Sequence, residues 1–308
     1  MAVCVRGERL AKIQSWMALQ LDKYRASTVR ILAPGRRISL FLTLVLCSLP
    51  VLAHACEPRY PAPATMARMF DMALKLEESL GAVRPAADVV LVARGGQDLR
   101  RFGLTYSHLA LALRDADGRW GVVHELNRCK TDRSDLYREG LVNFVGESVL
   151  RADILVIVPA QEVQARLRRY LAGPDALAKR LHEPEYSMLA HPFSTRFQNS
   201  NQWVLEVTAA AMMPEADHYD RAVVQSWLRE SGYEPGVLHI KWHERVAARL
   251  LIANIATIDH PARERLTGDY QALTVDSVVS FLERQGLVAE SFTVSHDAEP
   301  SRGSEIKE

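Results

Sequence analysis

The sequence predicts an α+β fold: a small, mainly antiparallel sheet with helices around it and a helical C-terminal half. Three observations carry this. Short β-branched runs recur in the first half, and two of them flank a turn sequence that closes an antiparallel hairpin. Segments with apolar residues at helical spacing lie on both sides of those runs. Beyond residue 200, helical patterns dominate.

The chain opens with a segment of different character. Residues 38–52 (ISLFLTLVLCSLPVL) are a long uncharged apolar run, preceded by Arg36-Arg37 and followed by Ala53-His54-Ala55. Fifteen residues fall short of the ~20 a membrane helix needs. A basic flank, a short apolar stretch and two small residues two positions apart read as a secretory signal. Residues 1–55 are therefore expected to be a targeting segment, and the protein to be exported to the periplasm with its mature chain starting at Cys56. Lipid anchoring through Cys56 is the less favoured variant, because Ala53 stands where a lipoprotein signal carries Leu. No later stretch is apolar enough to span a membrane. Residues 56–295 are expected to form one domain, and the polar residues 296–308 a disordered tail.

Each element has its own signature. Residues 64–80 place Met66, Met69, Phe70, Met72, Ala73, Leu76 and Leu80 at helical spacing, and Gly81 stops the helix. Residues 88–93 (DVVLVA) read as a buried strand ending before Gly95-Gly96. Residues 107–114 (SHLALALR) and 119–126 (RWGVVHEL) flank Asp115-Ala116-Asp117-Gly118, a hairpin with suitable turn residues. Residues 153–158 (DILVIV) form a further strand, and Pro159 opens a helix to about residue 171. Residues 190–199 suit a loop. Helices follow over 201–212 and 219–230, the second stopped by Gly232, and over 241–253 and 275–284, the last capped by Thr274.

Charge narrows the function classes. Of 38 Lys plus Arg and 37 Asp plus Glu, eight and two precede residue 56, which leaves the remainder at net −5. A mildly acidic domain has no field to gather phosphates, so nucleic acid is not an expected partner. Cys4 and Cys47 leave with the signal, and Cys56 and Cys129 are then expected to pair as a disulfide in an oxidising compartment.

Three stretches put reactive side chains on defined elements: Tyr106-Ser107-His108 at a strand start, His124-Glu125 near the end of the next strand, and Gln198-Asn199-Ser200-Asn201-Gln202-Trp203 running into a helix. A nucleophile at a helix N-terminus, an imidazole within reach and a third polar group to orient it make up a hydrolytic triad. Alternation sends His124 and Glu125 to opposite faces, so both stay open as the third member. Ser200 between two Asn residues equally matches a helix N-cap. A zinc site from His108, His124 and His191 lacks any Cys-x-x-Cys or His-Glu-x-x-His spacing, and Asp259-His260-Pro261 reads as a loop turn. With no nucleotide loop either, no metal or cofactor is expected.

Nearly the whole of the chain after residue 55 resembles the bacterial family called domain of unknown function 2145, through Cys56-Glu57-Pro58, residues 94–99 (RGGQDL), Tyr106-Ser107-His108, residues 124–127 (HELN), residues 136–140 (LYREG) and residues 197–206. A more distant resemblance is to circularly permuted NlpC-type, papain-like hydrolases. There a strand begins with S/T-H-V-G, the next carries His or Glu, and a later helix begins with N-C-x-x-F/W-V. Residues 107–110 (SHLA), His124 or Glu125, and residues 199–204 (NSNQWV) match these elements, and Tyr186 is similar to a tyrosine that often precedes the cysteine motif. Ser200 stands where those enzymes have Cys.

The resemblance implies a permuted papain-like architecture and hydrolysis of an amide or ester in an envelope peptide or acyl-containing substrate. Ser200 would be the nucleophile and His108 the base, His124 or Glu125 would orient the base, and Gln198 or backbone N–H groups would hold the oxyanion. The alternative is a catalytically inactive envelope protein that binds a peptide or acyl group in the same cleft.

Overall fold

The computed structural model describes residues 61–147, 153–173, 176–215 and 219–295, with the backbone of 301–302. The targeting segment, the Cys56 half of the expected disulfide and most of the 296–308 tail lie outside the described residues. Cys129 is exposed in the loop that follows the hairpin.

A mainly antiparallel sheet with helices on both faces forms the body, as the patterning predicts. Helix α1 (Pro63–Ala82) leads into β1 (Val89–Arg94). The hairpin follows as β2 (His108–Arg114) and β3 (Trp120–Asn127), closed by a turn in which Gly118 takes a φ of 85°. β4 (Ser134–Gly140) and the short α2 (Leu141–Gly146) come next, then β5 (Ile154–Pro159), α3 (Gln161–Leu171) and α4 (Leu177–Arg180). The C-terminal half contains α5 (Ser200–Met212), α6 (Arg221–Glu230), β6 (Gly236–His239), α7 (Trp242–Leu251), α8 (Ala262–Thr267), β7 (Asp269–Ala272), α9 (Val275–Arg284), β8 (Val288–Val294) and β9 (Ser301–Arg302). Sheet order is β4-β3-β2-β1-β5-β8-β9, and each neighbouring pair is antiparallel. β6 and β7 form a separate two-stranded ribbon.

Alternation divides the core in two. Val90, Val92, Ala110, Ala112, Val122 and Val156 face α1 and α2, packing on Met72, Leu76 and Phe144. Val89, Leu91, Leu109, Leu111 and Ile157 face the other way, onto α3, α5 and α9, where Trp203 is fully buried. The central strand β1 is buried on both faces, which is why it reads as a continuous apolar run.

Several elements escape the patterning. β4 (SDLYREG) is an edge strand, and its polar, partly exposed residues carry no apolar alternation. β8 pairs with β5 toward the opposite side, with Glu290 interrupting its apolar positions. Pro159 ends β5 rather than opening the helix, whose N-cap is Ala160. Among the described residues, no helix is long and apolar enough to cross a membrane.

Candidate active site

The site lies where β2 and β3 part. Their ladder pairs Leu111 with Val123 and continues away from there toward the turn, so the first residues of β2 have no partner on β3. The tip of α5 fills the gap. Asn201 Oδ1 accepts from the Leu109 amide at 2.8 Å, and Asn201 Nδ2 donates to the Ser107 and Leu273 carbonyls at 3.3 Å each. One side chain thus staples the backbone on both sides of His108 to the first turn of the helix.

That staple brings together groups 92 residues apart. His108 Nδ1 lies 3.0 Å from Ser200 Oγ, and His108 Nε2 lies 2.9 Å from His124 Nδ1. His108 and His124 share the face of Ala110, Ala112 and Val122, and both rings pack edge-on or tilted against Phe144. In the arrangement that hydrolysis needs, Ser200 O–H donates to His108 Nδ1, and His108 Nε2–H donates to His124 Nδ1. His124 Nε2 lies 3.5 Å from Glu139 Oε2 on β4, and neither atom has a hydrogen-bond partner. Sequence reasoning missed Glu139, because its strand was not legible.

Asn199, not Ser200, caps the helix. Its side chain accepts from the Gln202 amide at 2.9 Å, which makes Ser200 the first helical residue and leaves its hydroxyl for His108. Tyr186 is buried, and its backbone bridges to Gln198, two residues before Ser200. Tyr186 ionises far less readily than a free tyrosine, because burial and the nearby Glu125 charge both oppose it. Its hydroxyl therefore keeps its proton.

Glu125 points to the opposite face from His124 and does not touch the imidazole pair. Its carboxyl is fully buried, neither oxygen has a hydrogen-bond partner, and burial pushes its pKa up to about 8. Gln198 is committed elsewhere as well. Its amide nitrogen donates to the Leu181 carbonyl and to Glu206 Oε2, and its oxygen accepts from the Glu183 amide. With both N–H groups used, Gln198 is not available as the oxyanion donor that the sequence suggests.

Those bonds belong to a buried network that sets the approach to the helix. Arg221 pairs with Glu206 through Nε at 2.8 Å and donates to the Ser194, Thr195 and Phe197 carbonyls. Gln225 adds a bond to Glu206 at 2.7 Å. The residues just before Ser200 are thereby tied to α5 and α6.

Electrostatics keep both imidazoles neutral. Burial holds His108 well below its usual range, assisted by the Arg94 charge and by His124. Burial and then Arg94 bring His124 down to about 3. Arg94 is buried, lies over the Phe144 ring, donates to the Phe144 carbonyl and pairs with Glu147. A neutral His108 with its Nδ1 lone pair on a serine hydroxyl can accept that proton when the oxygen attacks an electrophile.

A bacterial family described as "Uncharacterized protein conserved in bacteria (DUF2145)" matches residues 82–282, a span that holds every residue of the site. Comparison with curated proteins and with solved structures gave no match.

Proposed function

This chain belongs to the bacterial family DUF2145, and from its site geometry we propose that it is an exported serine hydrolase on a permuted papain-like scaffold, cleaving an amide or ester bond. One observation carries the reading: Ser200, His108 and His124 stand in line at 3.0 and 2.9 Å while Asn199 takes over the helix cap. A serine needed only as a cap would not leave its hydroxyl on a neutral, oriented imidazole. The signal-like residues 1–55 support export, and the order of elements supports the permuted papain-like scaffold.

The reaction follows from the proton positions. Ser200 Oγ attacks the carbonyl carbon while its proton moves to His108 Nδ1. The imidazolium keeps Nε2–H on His124 Nδ1, which fixes the ring, and Glu139 lies behind His124. The N–H groups of Ser200 and Asn201, which the first helical turn leaves without an intrahelical acceptor, are the donors available to the developing oxyanion. His108 then gives its proton to the leaving amine or alkoxide. Water attacks the acyl-serine by the same route in reverse.

A second reading rests on the same electrostatics. Arg94 beside the pair penalises the imidazolium that the reaction requires, which suits a site that holds a peptide or acyl group without turning it over. A panel of activated esters and peptide amides separates the two readings. Turnover by the wild type that Ser200→Ala and His108→Ala abolish supports the hydrolase. Saturable binding without turnover, unchanged in Ser200→Ala, refutes it.

A further inference from the structure

We propose that His191, His260 and Glu264 form a binding site for a divalent transition-metal ion of the zinc class, on the wall of a cleft that none of the Ser200 triad lines. The cleft has a volume of about 620 Å³, and His191, Asp259 and His260 contribute to its lining. Each of the three proposed ligands offers one donor atom, and these atoms all lie within 4.8 Å of one another. Two imidazoles and a carboxylate are a donor set that zinc favours.

His260 is arranged as a metal ligand is. Its buried ring donates through Nε2 to the Leu189 carbonyl at 2.6 Å, which leaves Nδ1 facing Glu264 Oε2 at 2.7 Å. A backbone carbonyl on the far nitrogen is the usual partner that fixes the tautomer of a metal-bound imidazole. Two lone-pair atoms do not face each other bare, so a proton or a cation stands between Nδ1 and the carboxylate. His191 supplies the second ring, its centroid 5.1 Å from that of His260 and its plane at 86°. The Phe193 amide reaches His191 Nδ1 at 3.2 Å, a long contact that a turn of the ring gives up. Tetrahedral zinc with bonds near 2.0–2.1 Å spaces its ligand atoms at about 3.3 Å. The His260–Glu264 pair would open by about half an ångström and His191 would close in. The fourth position would face the cleft.

Asp259 braces the site from the other side of the His260 ring. Its side chain is fully enclosed, Oδ2 accepts from the His191 amide at 2.8 Å, and Oδ1 has no hydrogen-bond partner. That unanswered oxygen lies 4.0 Å from His260 Nε2. Asp259 thereby holds the His191 backbone and adds negative charge on the Nε2 side of His260.

The test uses the purified protein stripped with a chelator and then titrated with Zn²⁺ by calorimetry and with Co²⁺ by visible absorption. One equivalent should bind, with Co²⁺ giving bands of tetrahedral intensity. His191→Ala and Glu264→Gln should each weaken zinc binding at least tenfold, while His124→Ala should leave it unchanged. Zinc-soaked wild-type crystals should show an anomalous peak between His191, His260 and Glu264, an outcome that does not depend on any variant folding. No stoichiometric uptake, a peak elsewhere, or loss of binding in His124→Ala would each overturn the proposal. None of these results bears on Ser200, so the hydrolase reading stands or falls separately.

Discussion

Glu125→Gln should flatten part of the pH dependence of stability, because it removes one buried ionisable group and keeps its shape. The carboxyl is fully buried without a hydrogen-bond partner, and burial, partly offset by the Arg221 charge, raises its pKa from 4.5 to about 8. Between those values the folded chain holds a proton that the unfolded chain has released. Stability conferred by the wild-type residue is therefore fully present below pH 4.5 and is lost as pH rises toward 8. Integrating one site between pH 5 and pH 7.5 gives a loss of about 3 kcal/mol at 1.36 kcal/mol per pH unit. Gln cannot ionise, so the stability difference between Gln and Glu should shift by that amount in favour of Gln over the same interval. Other titrating groups, His124 among them, are common to both proteins and cancel in the difference. Urea unfolding of both proteins at pH 5 and pH 7.5 measures it. Two proteins with the same pH slope would refute the reasoning, since Glu125 would then be solvated or paired.

Arg221→Met should cost about 3–5 kcal/mol, because it strands the buried Glu206 carboxylate, and a loss below ~1 kcal/mol in chemical denaturation would contradict that. Asn201→Ala leaves the Leu109 amide without its acceptor and should cost about 1–3 kcal/mol, with hydrogen exchange at that amide accelerating more than in the strand centre. In steady-state assays, kcat/KM should show no acid limb near pH 6.5, because burial and Arg94 keep His108 unprotonated well below its usual range. A limb at that pH would mean the base is solvated.

The hairpin was legible because alternation and the Asp115–Gly118 turn agree, and the longer helices because apolar residues recur at helical spacing, whereas the short α2, α4 and α8 offer too few turns for a period to show. The polar edge strand β4 was not, and with it went Glu139, the group behind His124. Alternation separated His124 from Glu125 correctly, yet only the β2–β3 register and the packing on Phe144 show which one joins His108. Gln198 looked like an oxyanion donor from its place beside Ser200. Its true partners, Glu206 and the Leu181 carbonyl, are brought in by the helix and by a distant loop. His260 read as a turn residue because its relation to His191 arises only from tertiary structure.

The central claim is that Ser200 is a nucleophile activated by His108, and a fluorophosphonate probe tests it without knowledge of the substrate. The reagent phosphonylates serine hydroxyls that have a working base, and peptide mass spectrometry locates the adduct. The wild type should carry one adduct, on Ser200. Ser200→Ala should carry none, and His108→Ala should label about 10²-fold more slowly or worse. A folded wild type that leaves Ser200 unmodified, or a His108→Ala protein that labels at the wild-type rate, would contradict the account.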